Sequence, residues 1–450
     1  MRPQHTGYVL EGFPIYSSSF VSPSRLILGG GGGQTRSGVR NKLRLYDVTL
    51  EALNLVHEYE FEAGSDAPMS IAAAVPPAPV EVTSQPPLNV TFACGANASE
   101  DAMKRGENMH CRLFSIKYDK IVHVKSVKAM EEMKGDAYQK VSVLSPAQDV
   151  LAVGTTSNEV HLLHYPSLAR AAPVIGASAG ELFDISFSAT SVAIASSTNI
   201  FIYNLHEDKA PSENMLKAKN AGSVASLDEK TPEKGKGKGK GKNKANGKAS
   251  ISEKMEAQLE SLELASTIVR PKLPSVGAAN STFRAVRYHP NDFFTLYAVL
   301  NTTTKTSSSY KRRAYVVIYS WIPKLRAWSV VKSRRISEGS LTCFEISSDG
   351  HYLAYAASDC SIGILNAKTL APLQQILNAH EFPATTLRFN TDHTLLVSAS
   401  ADSSVRIVNV PEGLESRGAS RVWVLFIALL AVLLALLAEL YRRRQLLTNP

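Results

Sequence analysis

Ala379-His380, Thr385-Thr-Leu-Arg-Phe389, Leu395-Leu-Val-Ser-Ala399 and Asp402-Ser-Ser-Val-Arg-Ile-Val-Asn409 follow one another in a single short stretch. In the last three, apolar and polar residues alternate, the period of strands half buried in a sheet, and the Ala-Asp-Ser between the second and third is a turn signal. Three such strands make an antiparallel meander with one edge still open. The closing strand has counterparts upstream: Leu43-Arg-Leu-Tyr-Asp47, Val160-His-Leu-Leu-His164, Ile200-Phe-Ile-Tyr-Asn204 and Ile362-Gly-Ile-Leu-Asn366, with weaker copies at Leu113-Phe-Ser-Ile-Lys117 and Val316-Val-Ile-Tyr-Ser320.

The copies end at 47, 117, 164, 204, 320, 366 and 409, separated by 70, 47, 40, 116, 46 and 43 residues. Most intervals match the ~40–45 residues of a WD40 blade, which the repeat resembles. The expected architecture is therefore all-β: a seven-bladed WD40 β-propeller over residues 1–410. After Val410 too little chain remains for a fourth strand in the last blade, so its outer strand is expected from the N-terminus, around Gly7-Tyr-Val-Leu-Glu11. The two long intervals hold insertions at about 75–88, which is proline-rich, and about 207–279, which contains the lysine–glycine run. Both are expected to be solvated and disordered. Within the second, Ile251 to Val269 reads as a possible helix, with Met255, Leu259 and Leu262 at helical spacing.

Val422 to Leu440 (VWVLFIALLAVLLALLAEL) is apolar on every helical face. At ~1.5 Å per residue it reaches about 28 Å, close to the ~27 Å hydrocarbon thickness of endoplasmic reticulum bilayers. A single C-terminal transmembrane helix at 422–440 is expected, after a juxtamembrane linker at 411–421 and before a short lumenal tail at 441–450. The arginines beyond the helix (Arg442, Arg443, Arg444) oppose this orientation, since cytosolic flanks favour positive charge. The opening residues carry no apolar run of signal-peptide length, and translocating ten residues is far easier than translocating a whole propeller, so the large domain is placed in the cytosol. Cys94, Cys111, Cys343 and Cys360 show no paired metal-ligand spacing and read as small apolar residues in strands. Asn89-Val-Thr and Asn97-Ala-Ser match the glycosylation pattern and serve as tests of topology.

The net charge of +9 points towards nucleic acid until it is located. Most of the excess lies in Lys234 to Lys248, a lysine–glycine run without aromatic residues, so no nucleic-acid partner is expected. No nucleophile elbow, carboxylate pair or His/Cys cluster has recognisable spacing. His289 and His380 fit turn positions of the repeat.

One hairpin is unusual. Gly29 to Asn41 (GGGGGQTRSGVRN) contains six glycines where the equivalent turn of the last blade spans a few residues. Glycine loses much entropy on ordering, so it favours places where backbone must approach something closely. A phosphate cradle is excluded: no Gly-Lys-Ser/Thr follows, and Asn41-Lys-Leu-Arg-Leu-Tyr-Asp alternates like a strand, leaving no helix N-terminus for an anion. Coordination of a cation by carbonyls stays open, as does a spare flexible loop. Pro68 falls in the connection from blade one to blade two, on the face that carries this hairpin.

Gly12-Phe-Pro-Ile-Tyr16, Leu26-Ile-Leu-Gly-Gly-Gly-Gly32, Gly38-Val-Arg-Asn-Lys-Leu43, Asp66-Ala-Pro68, Ala379-His380 and Ser398-Ala-Ser-Ala-Asp402, with the terminal anchor, resemble one family. It is that of the endoplasmic reticulum membrane guanine nucleotide exchange factors for the small GTPase that initiates the COPII coat (the prolactin regulatory element-binding protein family). The resemblance implies nucleotide exchange without covalent chemistry, serving transport to the Golgi. It implies a GTPase-binding surface at Gly29, Gly30, Gly31, Gly32, Gly33, Asn41 and Pro68, and a potassium ion held mainly by backbone oxygens, with Gly31, Gly32 and Asn41 as ligands. An anchored WD40 scaffold without exchange activity is the alternative.

Overall fold

The computed structural model describes residues 3–34, 38–75, 90–130, 137–176, 180–205, 262–273, 280–305, 309–415 and 428–439. Seven four-stranded antiparallel sheets follow one another around a central channel. Blade one consists of Ile15–Phe20, Arg25–Gly30, Lys42–Val48 and Leu53–Glu60. Blades two to six occupy 70–127, 139–176, 182–269, 281–337 and 341–376, each with its first strand innermost. Blade seven takes Ala384–Phe389, Leu395–Ser400 and Ser404–Asn409, and its outer strand is His5–Val9, paired antiparallel with Ser404–Val408. The N-terminal closure occurs as expected, two residues earlier than the expected segment. All seven recurrent segments occupy the same place, the third strand of a blade. Their alternation reflects one side packed on each neighbouring blade.

Two expectations change in blade four. The reading of 207–279 as one disordered insertion, with a helix at 251–269, fails where it can be checked, because Glu263–Val269 is a strand. It pairs with Asn199–Asn204 as that blade's outer strand, and Ile268 is buried in the core between blades four and five. The β-branched Thr267-Ile268-Val269 favours a pleated edge over a helix, and Leu262 packs beside Phe201 and Leu205 rather than on a helical stripe. Residues 207–261 and 274–279 lie outside the described residues, as does 76–89, which holds nearly all of the proline-rich insertion. Within 422–440 the described residues 428–439 are helical, and among the described residues no helix is long and apolar enough to cross a membrane.

Polar links between innermost strands fix the ring. Arg287 of blade five donates to Asp184 of blade four and to Glu345 of blade six at 3.2 Å. Arg388 of blade seven donates to Glu345 and to the Ser18 carbonyl of blade one. Ser18 and Thr386 share a 2.6 Å hydrogen bond, and Ser70 and Ser142 one of 2.7 Å between blades two and three. Burial alone would raise the Glu345 carboxyl, but the Arg287 and Arg388 charges outweigh it and hold it below the ordinary glutamate range.

A group lowered in the folded state stabilises fully above its unfolded pKa and loses that contribution as pH falls through the folded one. Replacing Glu345 with Gln should cost about 3 kcal/mol in urea unfolding at pH 7, by leaving buried arginine charge unpaired. The penalty relative to wild type should shrink as pH falls below ~4.3, where the unfolded-state glutamate is itself protonated.

Candidate functional site

The upper face of the propeller carries the turns between second and third strands together with the connections between blades. There the strands of blade one end at Gly30 and resume at Lys42, so Gly29 and Gly30 belong to the second strand and the turn spans 31–41, with 35–37 outside the described residues. Gly29, Gly30 and Gly31 are crowded by close neighbours, whereas Gly38 faces open space. A Cβ on Gly29 would lie 2.5 Å from Ser17 Oγ and 3.0 Å from the Pro68 ring, and one on Gly30 2.2 Å from the Pro14 carbonyl. Gly31 (φ 141°) and Gly33 (φ 68°) need backbone conformations that side chains avoid, and Gly31 lies flat against Asn41.

Asn41 holds the turn closed. Its Oδ1 accepts from Gly33 N at 2.9 Å, and its Nδ2 donates to the Gly33 carbonyl at 3.0 Å and the Ser65 carbonyl at 2.6 Å. Its own carbonyl accepts from Phe61 N at 2.9 Å. One carboxamide thus ties the hairpin to itself and to the connection leading to Pro68. Pro68 is buried, with its carbonyl accepting from Ser17 Oγ at 2.5 Å.

The structure therefore brings all seven expected residues together but divides their roles. Gly29, Gly30, Gly31, Asn41 and Pro68 are buried and shape the platform. Gly32 and Gly33 are half-buried and Gln34 is exposed at its surface.

Sequence reasoning missed the neighbours. The second turn of this kind in blade two, 96–110, is also long and carries a short helix, Glu100–Lys104, capped by Ser99. Gln34 Nε2 donates to the Ala98 carbonyl at 3.0 Å, and Asp66 N donates to the Asn97 carbonyl at 3.0 Å. Buried Arg112 donates to the Ala96 carbonyl at 3.2 Å and stacks on Phe61. The length of 96–110 was the available signal, hidden because the proline-rich insertion already explained the long interval. Asn97 is itself buried, with Nδ2 donating to the Ala137 carbonyl at 3.0 Å, so its sequon is sealed in the folded chain and Asn89 alone carries that topology test.

Asp66 stands beside Gly33, its Oδ1 3.2 Å from where a Cβ would be. Burial pushes its carboxyl up, opposed by the N–H groups of Ala67 and Gln34, and no ion pair reaches it among the described residues. Burial and, secondarily, the Asp66 charge raise the hydroxyls of Tyr16 and Tyr138, two residues that line the mouth of the central channel. That mouth is a cavity of about 470 Å³ lined by Tyr16, Met69, Tyr138, Lys140, Phe183 and Arg284. Lys140 and Arg284 both approach the Phe183 ring, at 5.1 and 5.5 Å.

The oxygens near Gly33 suit a hard cation in kind: a carboxylate without a cationic partner, the Gly33 and Ser65 carbonyls, and Asn41 Oδ1. The amide of Asn41 already engages both carbonyls, so the turn is closed by the protein's own hydrogen bonds. Among the described residues no group of three or more His, Cys, Asp or Glu could hold a metal.

His110 anchors the adjoining turn. Its Nε2 accepts from Ala129 N at 3.2 Å and Met130 N at 3.1 Å, so the proton sits on Nδ1 and is donated to Gln139 Oε1 at 3.1 Å. Burial lowers its pKa to about 4, and His380, held between Ser398 and Ser404, is likewise lowered to about 4. Both support the fold rather than a reaction. Cys94 and Cys111 are buried free thiols in strands, with no metal or disulfide role among the described residues.

Two outcomes follow from this geometry. Asn41→Ala removes three side-chain hydrogen bonds, so amide exchange at Gly31–Gly33 should accelerate at least tenfold, corresponding to ~1.4 kcal/mol or more, while third-strand amides keep wild-type protection. Because histidines lowered in the folded state stabilise only while neutral, urea midpoints should fall from pH ~6.5 towards 4. His110→Gln should make that fall shallower.

Comparison with known proteins adds three findings. The profile of the family described as WD domain, G-beta repeat matches residues 371–409, the stretch that holds the outer strand of blade six and the three native strands of blade seven. SEC12-like protein 2 of Arabidopsis thaliana is 30% identical over 87 residues, which is 19% of this chain and 22% of that protein; the match spans about a fifth of the relative's length. The crystal structure of Raptor from Chaetomium thermophilum superposes with a TM-score of 0.56 at 8% identity, over 91% of this chain and 29% of the other, a likeness of fold alone. The chain is a seven-bladed propeller carrying the WD repeat.

Proposed function

We propose that this propeller is a guanine nucleotide exchange factor for the small GTPase that initiates the COPII coat, held at the endoplasmic reticulum by the apolar segment 422–440 with the propeller in the cytosol. The observation that carries the reading is the glycine hairpin locked by Asn41 against Ser65 and beside Pro68. Residues 31–34, tied down in this way, are pre-organised to press backbone against another protein at a reduced ordering cost. The partial likeness to a SEC12-like protein supports the same direction.

Exchange needs no bond chemistry in the propeller. A surface that binds the nucleotide-free GTPase more tightly than the loaded one must, by reciprocity, weaken nucleotide affinity. In this reading Gly32, Gly33 and Gln34 touch the GTPase, with the half-buried Asp66 and Met69 beside them. Asn41 and Pro68, being buried, are positioning residues. The Asp66 carboxylate, beside Gly33, is the charge this surface would bring near the partner's Mg²⁺. A potassium ion, as the family resemblance implies, would draw on Gly31, Gly32 and Asn41 beside the Asp66 carboxylate and would add to the closure that the Asn41 hydrogen bonds already supply. Anchoring raises the local concentration of activator at the bilayer.

Adding the full chain in detergent or nanodiscs to GDP-loaded coat GTPase should accelerate GDP release. Asn41→Ala should lower that acceleration at least tenfold and weaken binding to the nucleotide-free GTPase in proportion, with the melting temperature within a few degrees of wild type. Replacing potassium by a bulky organic cation should speed amide exchange at Gly31–Gly33 in the free protein. Tight binding without acceleration would make the chain an anchored scaffold instead.

A further inference from the structure

The propeller hands its chain to the anchor on the lower face, opposite the glycine hairpin. Glu415 Oε2 accepts from Asn366 Nδ2 at 2.9 Å, Glu415 Oε1 lies 3.3 Å from His351 Nδ1, and Leu414 is buried in the core of blades six and seven. Asn366 ends the third strand of blade six and His351 precedes its second, so both mark the lower face. The apolar segment begins at Val422. Even fully extended, the chain from Glu415 to Val422 reaches only about 25 Å. A compact domain of this size is roughly 50 Å across, so on this tether it cannot turn its upper face to the bilayer.

Among the described residues, blade five, next to blade six, carries exposed apolar side chains on this lower face. Its lower turn is joined to the pinned turn of blade six by Asn291 Nδ2, which donates to the Asp349 carbonyl at 3.2 Å. Next to it Phe293 and Phe294 are 43% and 36% exposed, and Leu325 is 66% exposed at the tip of the neighbouring turn. That tip is ordered, with Leu325 N bonded to the Ile322 carbonyl at 3.0 Å and Arg326 N to the Pro323 carbonyl at 3.2 Å. Exposed Lys324 and Arg326 flank the leucine. Aromatic rings and a leucine bordered by cations are the composition that settles at a membrane–water boundary. The turns under blades six and seven carry Asp349, Asp392, Glu412 and Glu415, whereas the blade-five edge carries the single carboxylate Asp292, already bonded to Phe294 N and Thr295 Oγ1.

We propose that the lower edge of blade five, through Phe293, Phe294 and Leu325 with Lys324 and Arg326, rests in the headgroup layer of the bilayer that holds the anchor, and that the glycine hairpin consequently points away from the membrane. The occupant is the lipid surface itself. The proposal rests on 422–440 spanning that bilayer.

The test uses the full chain in phosphatidylcholine nanodiscs with and without phosphatidylserine. A photoactivatable benzophenone amino acid replaces Phe293 or Leu325, or, as an upper-face control, Phe382, which is 57% exposed. Lipid adducts are counted by mass spectrometry. Adducts at 293 and 325 should exceed those at 382 at least tenfold in both disc types, with a further rise in discs containing phosphatidylserine. Equal or absent adducts at 293 and 325, with the protein still retained in the discs after an alkaline wash, would overturn the orientation and leave the anchor intact. Release of the protein by that wash would defeat the spanning reading, and this proposal with it.

Discussion

The carboxamide of Asn41 bonds at once to Gly33 and to the Ser65 carbonyl, and much of the upper face is arranged so that it can. A side chain on Gly31 would occupy the space that Asn41 fills, and one on Gly29 would displace Pro68. The connection that receives the Nδ2–H is held from its far side by Arg112, which donates to Ser65 Oγ at 3.4 Å and to the Asn97 carbonyl at 3.4 Å. The hairpin, the first inter-blade connection and the turn 96–110 therefore behave as one body. Entropy argues that consecutive glycines should be floppy; close packing at Gly29, Gly30 and Gly31 removes that freedom.

This body sits at the rim of the channel mouth, where charge is unevenly placed. Asp66 lies on the hairpin side, while Lys140 and Arg284 share the Phe183 ring across the mouth. Lys140 is also paired with Glu181 at 3.0 Å. Below the mouth the Asp184–Arg287–Glu345–Arg388 series links blades four to seven. The channel interior is thus charged along blades four to seven, where the charges nearly balance, and hydroxyl-lined along blades one to three, and a partner on the upper face meets its carboxylate and its cations separately. Such separation favours recognition by orientation more than by net attraction.

The blade count was legible in the sequence because third strands, packed on both sides, keep an alternating pattern, and the short last turn at Ala401-Asp402-Ser403 made blade seven the clearest. The N-terminal closure was legible because too little chain followed Val410. Blade four's outer strand was not: an outer strand has one exposed side, and Glu263–Val269 buries little besides Ile268, so its period is weak beside a long polar segment. At the candidate site, the glycine run and the position of Pro68 in the first inter-blade connection pointed to one corner of the upper face, while composition could not separate a packed hairpin from a spare loop. Asp66 appeared in the sequence only as part of Asp66-Ala-Pro68 and without a role of its own, since a lone carboxylate in a connection has no pattern, and its place beside Gly33 comes from burial and from neighbours distant in the chain.

The most direct measurement of the central claim is hydrogen–deuterium exchange of the full chain in nanodiscs, free and bound to nucleotide-free coat GTPase. The account predicts new protection concentrated at residues 31–34, 65–69 and 97–99, with the lower-face turns unchanged. Protection confined to the lower face or the outer strands, with 31–34 exchanging as in the free protein, would contradict it.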